Sequence, residues 1–267
     1  MASGHASEDL WQGAIEAAFR ESTEAMIDLA WLSPGYHVID IGAGAGGQSI
    51  AAARRVGPTG FVLATDISAE ALRVLLESAH ACGVANLRIR QMPAEDLDFA
   101  DQSFDAAICR NGLMHFEDHR RALLEIRRIL KPNRRIALTV WTDAEENQFI
   151  SLPISAALSF LDSSAPKPKD PFAFRSSTTL RKALSDAGFY EIALRRVGGQ
   201  FVLASAKDAV RFHVERNMIV KQVLPALDSH QHVQFCETLE RAFTAFESKG
   251  GFAAPCCQLV AAAARCT

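Results

Sequence analysis

A glycine-rich stretch with an acid just before it is the part of this sequence most able to do chemistry. Segment 38–50 is an apolar run that contains Asp40, breaks into the glycines of 42–47 and then becomes apolar again. It predicts a buried strand, a tight turn and the start of a helix. Because glycine has no Cβ, main-chain N–H groups at such a turn can approach a ligand closely. The segment therefore predicts a pocket for a nucleotide or a nucleoside.

Asp40 distinguishes between the ligands that such a turn can hold. Gly42, Gly44 and Gly47 satisfy the spacing that cradles a pyrophosphate at a helix N-terminus, which would suit NAD. A carboxylate just before these glycines would repel a pyrophosphate and attract an ammonium or sulfonium group. S-adenosylmethionine carries both cations and no phosphate. The sequence therefore favours this cofactor, with an NAD-dependent oxidoreductase as an alternative.

A second acid ends the next apolar run, residues 61–66. In a parallel sheet with short connections, the C-terminal ends of neighbouring strands lie side by side. Asp66 is therefore expected beside the glycine turn. There its carboxylate can accept hydrogen bonds from both hydroxyls of a ribose.

The elements that must position these acids recur along the chain. An alternating apolar and polar segment at 87–91 and apolar runs at 106–110 and 136–141 are interspersed with helical patterns such as 118–130. This alternation predicts an α/β fold with a doubly wound parallel sheet and right-handed crossovers. The arginines of segment 118–130 have no aromatic residue among them, which favours a solvated helix face over an RNA-binding surface.

Composition narrows the class of partner. The chain has 267 residues, 49% hydrophobic and 22% charged, enough for one large α/β domain. A net charge of -3 argues against a nucleic-acid or anionic-membrane surface and favours a small-molecule partner. No signal-peptide pattern or membrane-length apolar run is present, so a cytoplasmic protein without a membrane span is expected.

The cysteines indicate neither a disulfide framework nor a metal site. Six cysteines lie in apolar surroundings with no C-x-x-C pair, so we expect reduced thiols and no bound metal. Cys256 and Cys257 are adjacent in a predicted strand and should face opposite sides of it.

Several motifs in order carry a family resemblance, namely Asp40 to Gly46, Asp66, Ala94 to Leu97, Ser103 to Asp105, and Leu130 to Pro132. Together they resemble the class I S-adenosylmethionine-dependent methyltransferases. Within this class the chain looks most like the small-molecule branch that includes ubiquinone and menaquinone biosynthesis enzymes. The resemblance implies a seven-stranded, mostly parallel sheet with an antiparallel last strand, N-terminal helices and a helical cap inserted late in the chain.

The resemblance also implies roles for individual residues. Asp40 would lie near the methionine amino group, and Asp66 would bind the ribose. Ile67 would pack on adenine, and the Arg110 main chain would complete the methionine end. The full set of implied cofactor-binding residues is Asp40, Gly42, Gly44, Asp66, Ile67, Ala94, Glu95 and Arg110.

Two positions depart from the family pattern. Pro93 stands where relatives commonly have an acid for the adenine amino group, so that contact must come from elsewhere or be weaker. Asn133 and Arg134 replace the usual glycines after Lys131-Pro132. Since asparagine tolerates left-handed geometry, we expect this turn to be retained.

We expect one domain over residues 1–267. It would comprise N-terminal helices (1–33), a cofactor-binding core (34–141), two substrate-cap segments (142–176 and 206–250) and a last strand (251–267). Methyl transfer needs alignment of the reactants and exclusion of water, which a cap would supply. The phenylalanine-rich composition of the cap predicts a largely apolar acceptor, with O- or C-methylation favoured.

An acceptor must still lose its proton, and His115, after the fourth predicted strand, is the first candidate base. His119 and His213 are weaker candidates. A further alternative is a relative with this fold that binds the cofactor without methyl transfer or uses it for a cyclisation. The sequence also leaves a homodimer open.

Overall fold

The structure, a computed structural model, describes residues 2–161 and 167–266, and side chains from residue 11 onward. Residues 162–166, inside the first predicted cap segment, therefore lie outside the described residues. The strands, in chain order, are β1 (His37–Ile41), β2 (Phe61–Asp66), β3 (Leu87–Gln91), β4 (Phe104–Arg110), β5 (Leu130–Trp141), β6 (Phe189–Leu203), β7 (Glu247–Ser248) and β8 (Gly251–Arg265).

Helices connect these strands, and no helix among the described residues has the length and apolarity to cross a membrane. The α-helices are α1 (Ala2–Leu29), α2 (Gly47–Val56), α3 (Ala69–Ala81), α4 (His119–Ile129), α5 (Gln148–Leu158), α6 (Ser177–Asp186), α7 (Ala206–Arg216), α8 (Met218–Val223) and α9 (Ser229–Phe243).

The sheet has the mixed topology expected from the sequence. Its order is β3-β2-β1-β4-β5-β8-β6, and β7 pairs with β8 off this path. The central strand β1 is parallel to both β2 and β4. The last strand, β8, runs antiparallel to β5, with Trp141 opposite Gln258. The expected α/β fold with an antiparallel last strand is confirmed.

Three strand assignments need correction. Among the described residues, β7 adds an eighth strand to the expected seven, and at two residues it is too short to leave a periodic pattern. β5 begins at Leu130 and not at Ile136, because Leu130 pairs with Phe104 before an irregularity in register. Within that early part Asn133 has φ 59°, in the left-handed region that asparagine tolerates, but the expected turn lies inside β5 and does not precede it.

β6 is one strand of 15 residues, whereas the sequence alone predicts two short strands, 192–194 and 199–203, with a glycine between them. Its glycines do not end the strand. A Cβ at Gly199 would lie 2.1 Å from the carbonyl oxygen of Ala18 in α1, so this glycine allows two backbones to approach closely.

The chain forms two compact units. One comprises Met1–Arg20, Asp143–Lys169 and Gly198–Cys257, and the other comprises Glu21–Thr142, Asp170–Val197 and Gln258–Thr267. All the predicted cofactor-binding residues lie in the second unit. The single domain with two cap segments stays a prediction.

The first unit has an aromatic core. Phe149 stacks on Phe201 with ring centroids 4.2 Å apart, and Phe243 lies 5.8 Å from Phe149. His213 is fully buried beside Phe149, at 4.4 Å between ring centroids. Burial lowers the pKa of His213 to about 3, so its ring is neutral at physiological pH.

Candidate cofactor site

The parallel pairing of β1 and β2 brings the two predicted acids to one edge of the sheet. Ile41, which follows Asp40, lies opposite Thr65, which precedes Asp66. The Gly44 N–H donates to Asp66 Oδ2 at 2.9 Å. The structure thus places Asp66 against the glycine turn, as the strand order predicted.

The Asp66 carboxylate retains capacity for further hydrogen bonds. Its Oδ1 accepts the Ser68 N–H at 2.8 Å, so each oxygen has one backbone donor. A carboxylate oxygen has two acceptor sites, which leaves one on each oxygen for a hydroxyl group. Next to it, the side chain of Ile67 is 72% exposed. An exposed apolar side chain beside an acceptor pair suits an aromatic base attached to a ribose.

Asp40 is in a different environment, because it is fully buried. Ser49 Oγ, on α2, donates to Asp40 Oδ2. Asp40 Oδ1 accepts no hydrogen bond from the described residues. Burial raises the pKa of Asp40 to about 6, and Ser49, Gln48 and Arg110 oppose this rise.

The turn between β1 and α2 contains both an open and a closely packed glycine. Gly44 has φ 55°, and no described atom lies within 4 Å of the place where a Cβ would stand. At Gly46, with φ 75°, a Cβ would lie 2.0 Å from Cδ1 of the buried Leu75 in α3. Gly44 therefore leaves room for a ligand, whereas Gly46 allows α3 to pack on the turn.

The loop after β4 is fixed by hydrogen bonds to β5. Asn111 has φ 53°, and its N–H donates to the Thr139 carbonyl at 3.0 Å. Thr139 Oγ1 donates in turn to Asn111 Oδ1 at 3.1 Å. The loop continues into a short 3₁₀ helix, Leu113–His115, that ends on the half-buried candidate base. At the start of the loop, Arg110 Nη1 donates to Thr23 Oγ1 at 3.1 Å.

The other predicted residues have varied surroundings. Ala94 is buried, and Glu95 accepts the Asp118 N–H at 3.2 Å, so its carboxylate holds the loop after β3 against the start of α4. His119 is exposed, with its ring 5.1 Å from that of Phe174. His213 belongs to the aromatic core described above.

Ser49, Asn111 and Thr139 were not found by sequence reasoning. They lie on elements that the sequence identified, but a hydroxyl or amide that turns towards a neighbouring strand has no periodic signal. The described residues contain no group of three or more His, Cys, Asp or Glu side chains that could hold a metal ion. Burial raises the pKa of the Cys109 thiol to about 12, which keeps it protonated.

These features fit S-adenosylmethionine. Asp66 offers acceptors for hydroxyl groups, and Gly44 leaves the main chain accessible. The Asp40 oxygen that lacks a donor would accept one from an ammonium group, either directly or through water. A pyrophosphate would instead meet two carboxylates.

Comparisons with known proteins agree with this arrangement. A family model described as a methyltransferase domain matches residues 32–157. The chain is 32% identical over 180 residues to the ubiquinone/menaquinone biosynthesis C-methyltransferase UbiE of Pseudoalteromonas translucida, covering 63% of this chain and 72% of that protein. It is 37% identical over 125 residues to YcgJ of Bacillus subtilis, an uncharacterized methyltransferase, covering 46% of this chain and 48% of YcgJ.

Solved structures share the fold. The crystal structure of YcgJ superposes with a TM-score of 0.59 at 22% identity and covers 93% of this chain and 99% of YcgJ. The [4+2]-cyclase SpnF superposes with a TM-score of 0.58 at 18% identity and covers 92% of this chain and 81% of SpnF.

The fold, the site and the similarity to UbiE together define an S-adenosylmethionine-dependent methyltransferase. More particularly, the chain belongs to the class I methyltransferase family and to its small-molecule, UbiE-like kind, with S-adenosylmethionine as its cofactor. This family membership sets aside the NAD-dependent oxidoreductase.

Proposed function

We propose that this enzyme transfers a methyl group to oxygen or carbon of a largely apolar small molecule by in-line displacement. The observation that carries the proposal is the pair Asp40 and Asp66 on either side of a turn that is open at Gly44. The bound cofactor supplies an electrophilic methyl group on a sulfonium. The protein then has to align the acceptor and exclude water, because charge is dispersed in the transition state.

In this proposal each residue of the site has a positioning task. Asp66 accepts the ribose hydroxyls through the free acceptor sites of its oxygens, and Ile67 packs on adenine. Asp40 binds the amino end, and the Gly42–Gly44 main chain lines the methionine part, which ends at the Arg110 main chain. Ala94 and Glu95 line the adenine edge.

The nature of the acceptor is inferred from two features. The relative UbiE is named as a C-methyltransferase of ubiquinone and menaquinone biosynthesis, which favours carbon and a ring substrate. The predicted cap segments, 142–176 and 206–250, are rich in phenylalanine, which favours an acceptor with a large apolar part. The cytoplasmic location and a homodimer stay predictions.

His115 is the proposed general base. It lies in the loop that Asn111 and Thr139 fix at the end of β4, at the same edge of the sheet as Asp40 and Asp66. A half-buried imidazole at such an edge can take the proton that an acceptor hydroxyl or acidic carbon loses.

We expect His115→Ala to lower kcat by about 100-fold or more, in the range that general bases contribute, with little change in the Kd for S-adenosylmethionine. The assay is a screen of phenols, quinols and related ring compounds for a methyl-sized mass gain by mass spectrometry. His119→Ala is the matched control, because His119 is exposed and packs on Phe174. Near-normal turnover of His115→Ala would contradict the assignment.

A second candidate is cofactor binding without methyl transfer. The structural similarity to SpnF, which is named as a [4+2]-cyclase, favours this alternative. It predicts that S-adenosylmethionine stays intact while a substrate that carries a diene and an alkene closes a ring. Consumption of the cofactor in step with product in the acceptor screen would exclude it.

A further inference from the structure

One acid of the cofactor site has an incomplete set of hydrogen-bond donors. Asp40 is fully buried, and the hydrogen bond from Ser49 Oγ reaches Oδ2 while Oδ1 receives none from the described residues. Ser49 is itself fully buried, so this bond is shielded from solvent. A buried carboxylate needs donors for both oxygens, and its charged form is disfavoured without them.

Few groups on the neighbouring elements stabilise the charged form of Asp40. Gln48, on α2, donates its side-chain amide to the Ala43 carbonyl at 2.9 Å; it also favours the charged form of Asp40, but Oδ1 still accepts no hydrogen bond from the described residues. The titratable groups facing Asp40 are Asp66 from β2 and Cys109 and Arg110 from β4.

These groups have opposite electrostatic effects on the pKa of Asp40. Arg110 favours the charged form of Asp40, whereas Asp66 disfavours it. The buried Cys109 thiol is neutral, because its own pKa is raised to about 12. Burial is the largest effect and raises the pKa of Asp40 to about 6.

We propose that Ser49 and Asp40 form a proton-linked recognition pair for the amino group of S-adenosylmethionine. In weakly acidic medium the Asp40 carboxyl of the free protein holds a proton. When the ammonium group binds, the O–H bond of Asp40 breaks, the proton passes to solvent, and the carboxylate pairs with the ammonium. Ser49 is a positioning residue that fixes Oδ2 and leaves Oδ1 for the ligand. The inference rests on the proposed place of Asp40 beside that amino group and is independent of the acceptor.

If Asp40 and Ser49 act in this way, the affinity for the cofactor should fall as the pH decreases from 7 to 5. Asp40 would be about 90% ionised at pH 7 and about 10% ionised at pH 5, so the Kd should be about tenfold larger at pH 5. Close to one proton should be released per cofactor bound at pH 5. An α-amino group has a pKa of about 7.7–8.0, so the ligand keeps its ammonium charge throughout this range.

Isothermal titration calorimetry of the full chain tests the proposal. S-adenosylmethionine and S-adenosylhomocysteine are titrated at pH 5, 6 and 7, each in two buffers of different ionisation enthalpy, which counts the protons released. Both ligands carry the amino group, but only the first carries the sulfonium. The same pH dependence for both therefore assigns the effect to the amino group, and a dependence seen with S-adenosylmethionine alone would overturn the proposal.

Substitutions test the roles of Asp40 and Ser49 separately. Asp40→Asn should bind more weakly at pH 7 with a Kd that no longer changes with pH. Ser49→Ala should move the transition to higher pH, because the carboxylate loses its hydroxyl donor, and Ser49→Thr should restore it. Asp66→Asn should weaken binding and keep the pH dependence.

Two results would overturn the proposal while leaving the cofactor assignment intact. The first is a wild-type Kd that changes less than twofold between pH 5 and pH 7 with no proton release. The second is a pH dependence that persists in Asp40→Asn or is unchanged in Ser49→Ala. Failure of both ligands to bind at every pH would overturn the cofactor assignment as well. Failure of methyl transfer with every acceptor would contradict only the proposed function.

Discussion

Gly44 and Gly46 lie close together in the turn after β1, but they serve different purposes. Both have positive φ, at 55° and 75°. The space beside Gly44 is open, whereas Leu75 fills the space beside Gly46. Sequence reasoning identified the turn as a ligand-binding element, but it could not separate the two glycines, because the difference depends on where α3 packs.

We expect Gly44→Ala to weaken cofactor binding and Gly46→Ala to weaken the fold. A Cβ at Gly44 enters open space that the ligand needs, and the left-handed backbone costs about 1–2 kcal/mol. At Gly46 the same cost is joined by overpacking against Leu75, typically 1–3 kcal/mol. Titration of S-adenosylmethionine and thermal unfolding of both variants measure the two effects. Unchanged affinity in Gly44→Ala, or unchanged Tm in Gly46→Ala, would contradict this division.

The position of Asp66 is predictable from the sequence, whereas the hydrogen bond of Ser49 is not. Asp66 was placed beside the turn because parallel strands with short connections bring their ends together, and its hydrogen bond from Gly44 confirms this. Ser49 was not predicted, since a helix residue that donates back to a strand depends on helix rotation. Glu95 was predicted for the adenine edge, and its carboxylate is already bonded to the Asp118 N–H, a contact between distant segments.

At the scale of elements, β5 fixes the loop that carries the candidate base. Thr139 is fully buried, and its Oγ1 donates to Asn111 Oδ1 while it accepts from Gln258 Nε2 at 3.4 Å. These bonds hold Asn111 in the left-handed region. The 3₁₀ helix that ends at His115 follows directly.

We expect Thr139→Val to lower both stability and turnover. Loss of the hydroxyl removes the donor to the partly buried Asn111 and the acceptor for the buried Gln258, and an unsatisfied buried polar group costs about 1–3 kcal/mol. The loop would then hold His115 less firmly, so kcat should fall more than the affinity for S-adenosylmethionine. Thr139→Ser is the matched control, because it keeps the hydroxyl. Denaturant unfolding and single-substrate kinetics measure the effects, and a kcat equal to that of Thr139→Ser would contradict the positioning role.

The elements themselves were mostly predictable, and the exceptions have physical causes. The alternating strand and helix patterns predicted the parallel sheet and the neighbouring positions of β1 and β2, as the structure shows. The early start of β5 was missed because Pro132 and Asn133 resemble a turn, although Leu130 already pairs with Phe104. β6 was split because its glycines resemble a break, although Gly199 serves the close approach of α1.

At the scale of the whole molecule, the cofactor residues and the aromatic core belong to different compact units. The second unit contains Asp40 and Asp66, the glycine turn and the loop with His115. The first unit contains the stacked Phe149 and Phe201 and much of the predicted cap. The sequence indicates a change of character after Trp141, where a strongly apolar helical pattern at 147–161 replaces the regular alternation of strands and helices.

The central claim is that Asp40 and Asp66 flank a turn built for S-adenosylmethionine. Calorimetric titration at pH 7 of the full chain, beside Asp66→Asn, tests it most directly. We expect one S-adenosylmethionine bound per chain, no heat with NAD, and binding weakened about tenfold or more in Asp66→Asn, as loss of hydrogen bonds to a charged group would give. No heat with S-adenosylmethionine, or equal affinity in Asp66→Asn, would contradict the claim.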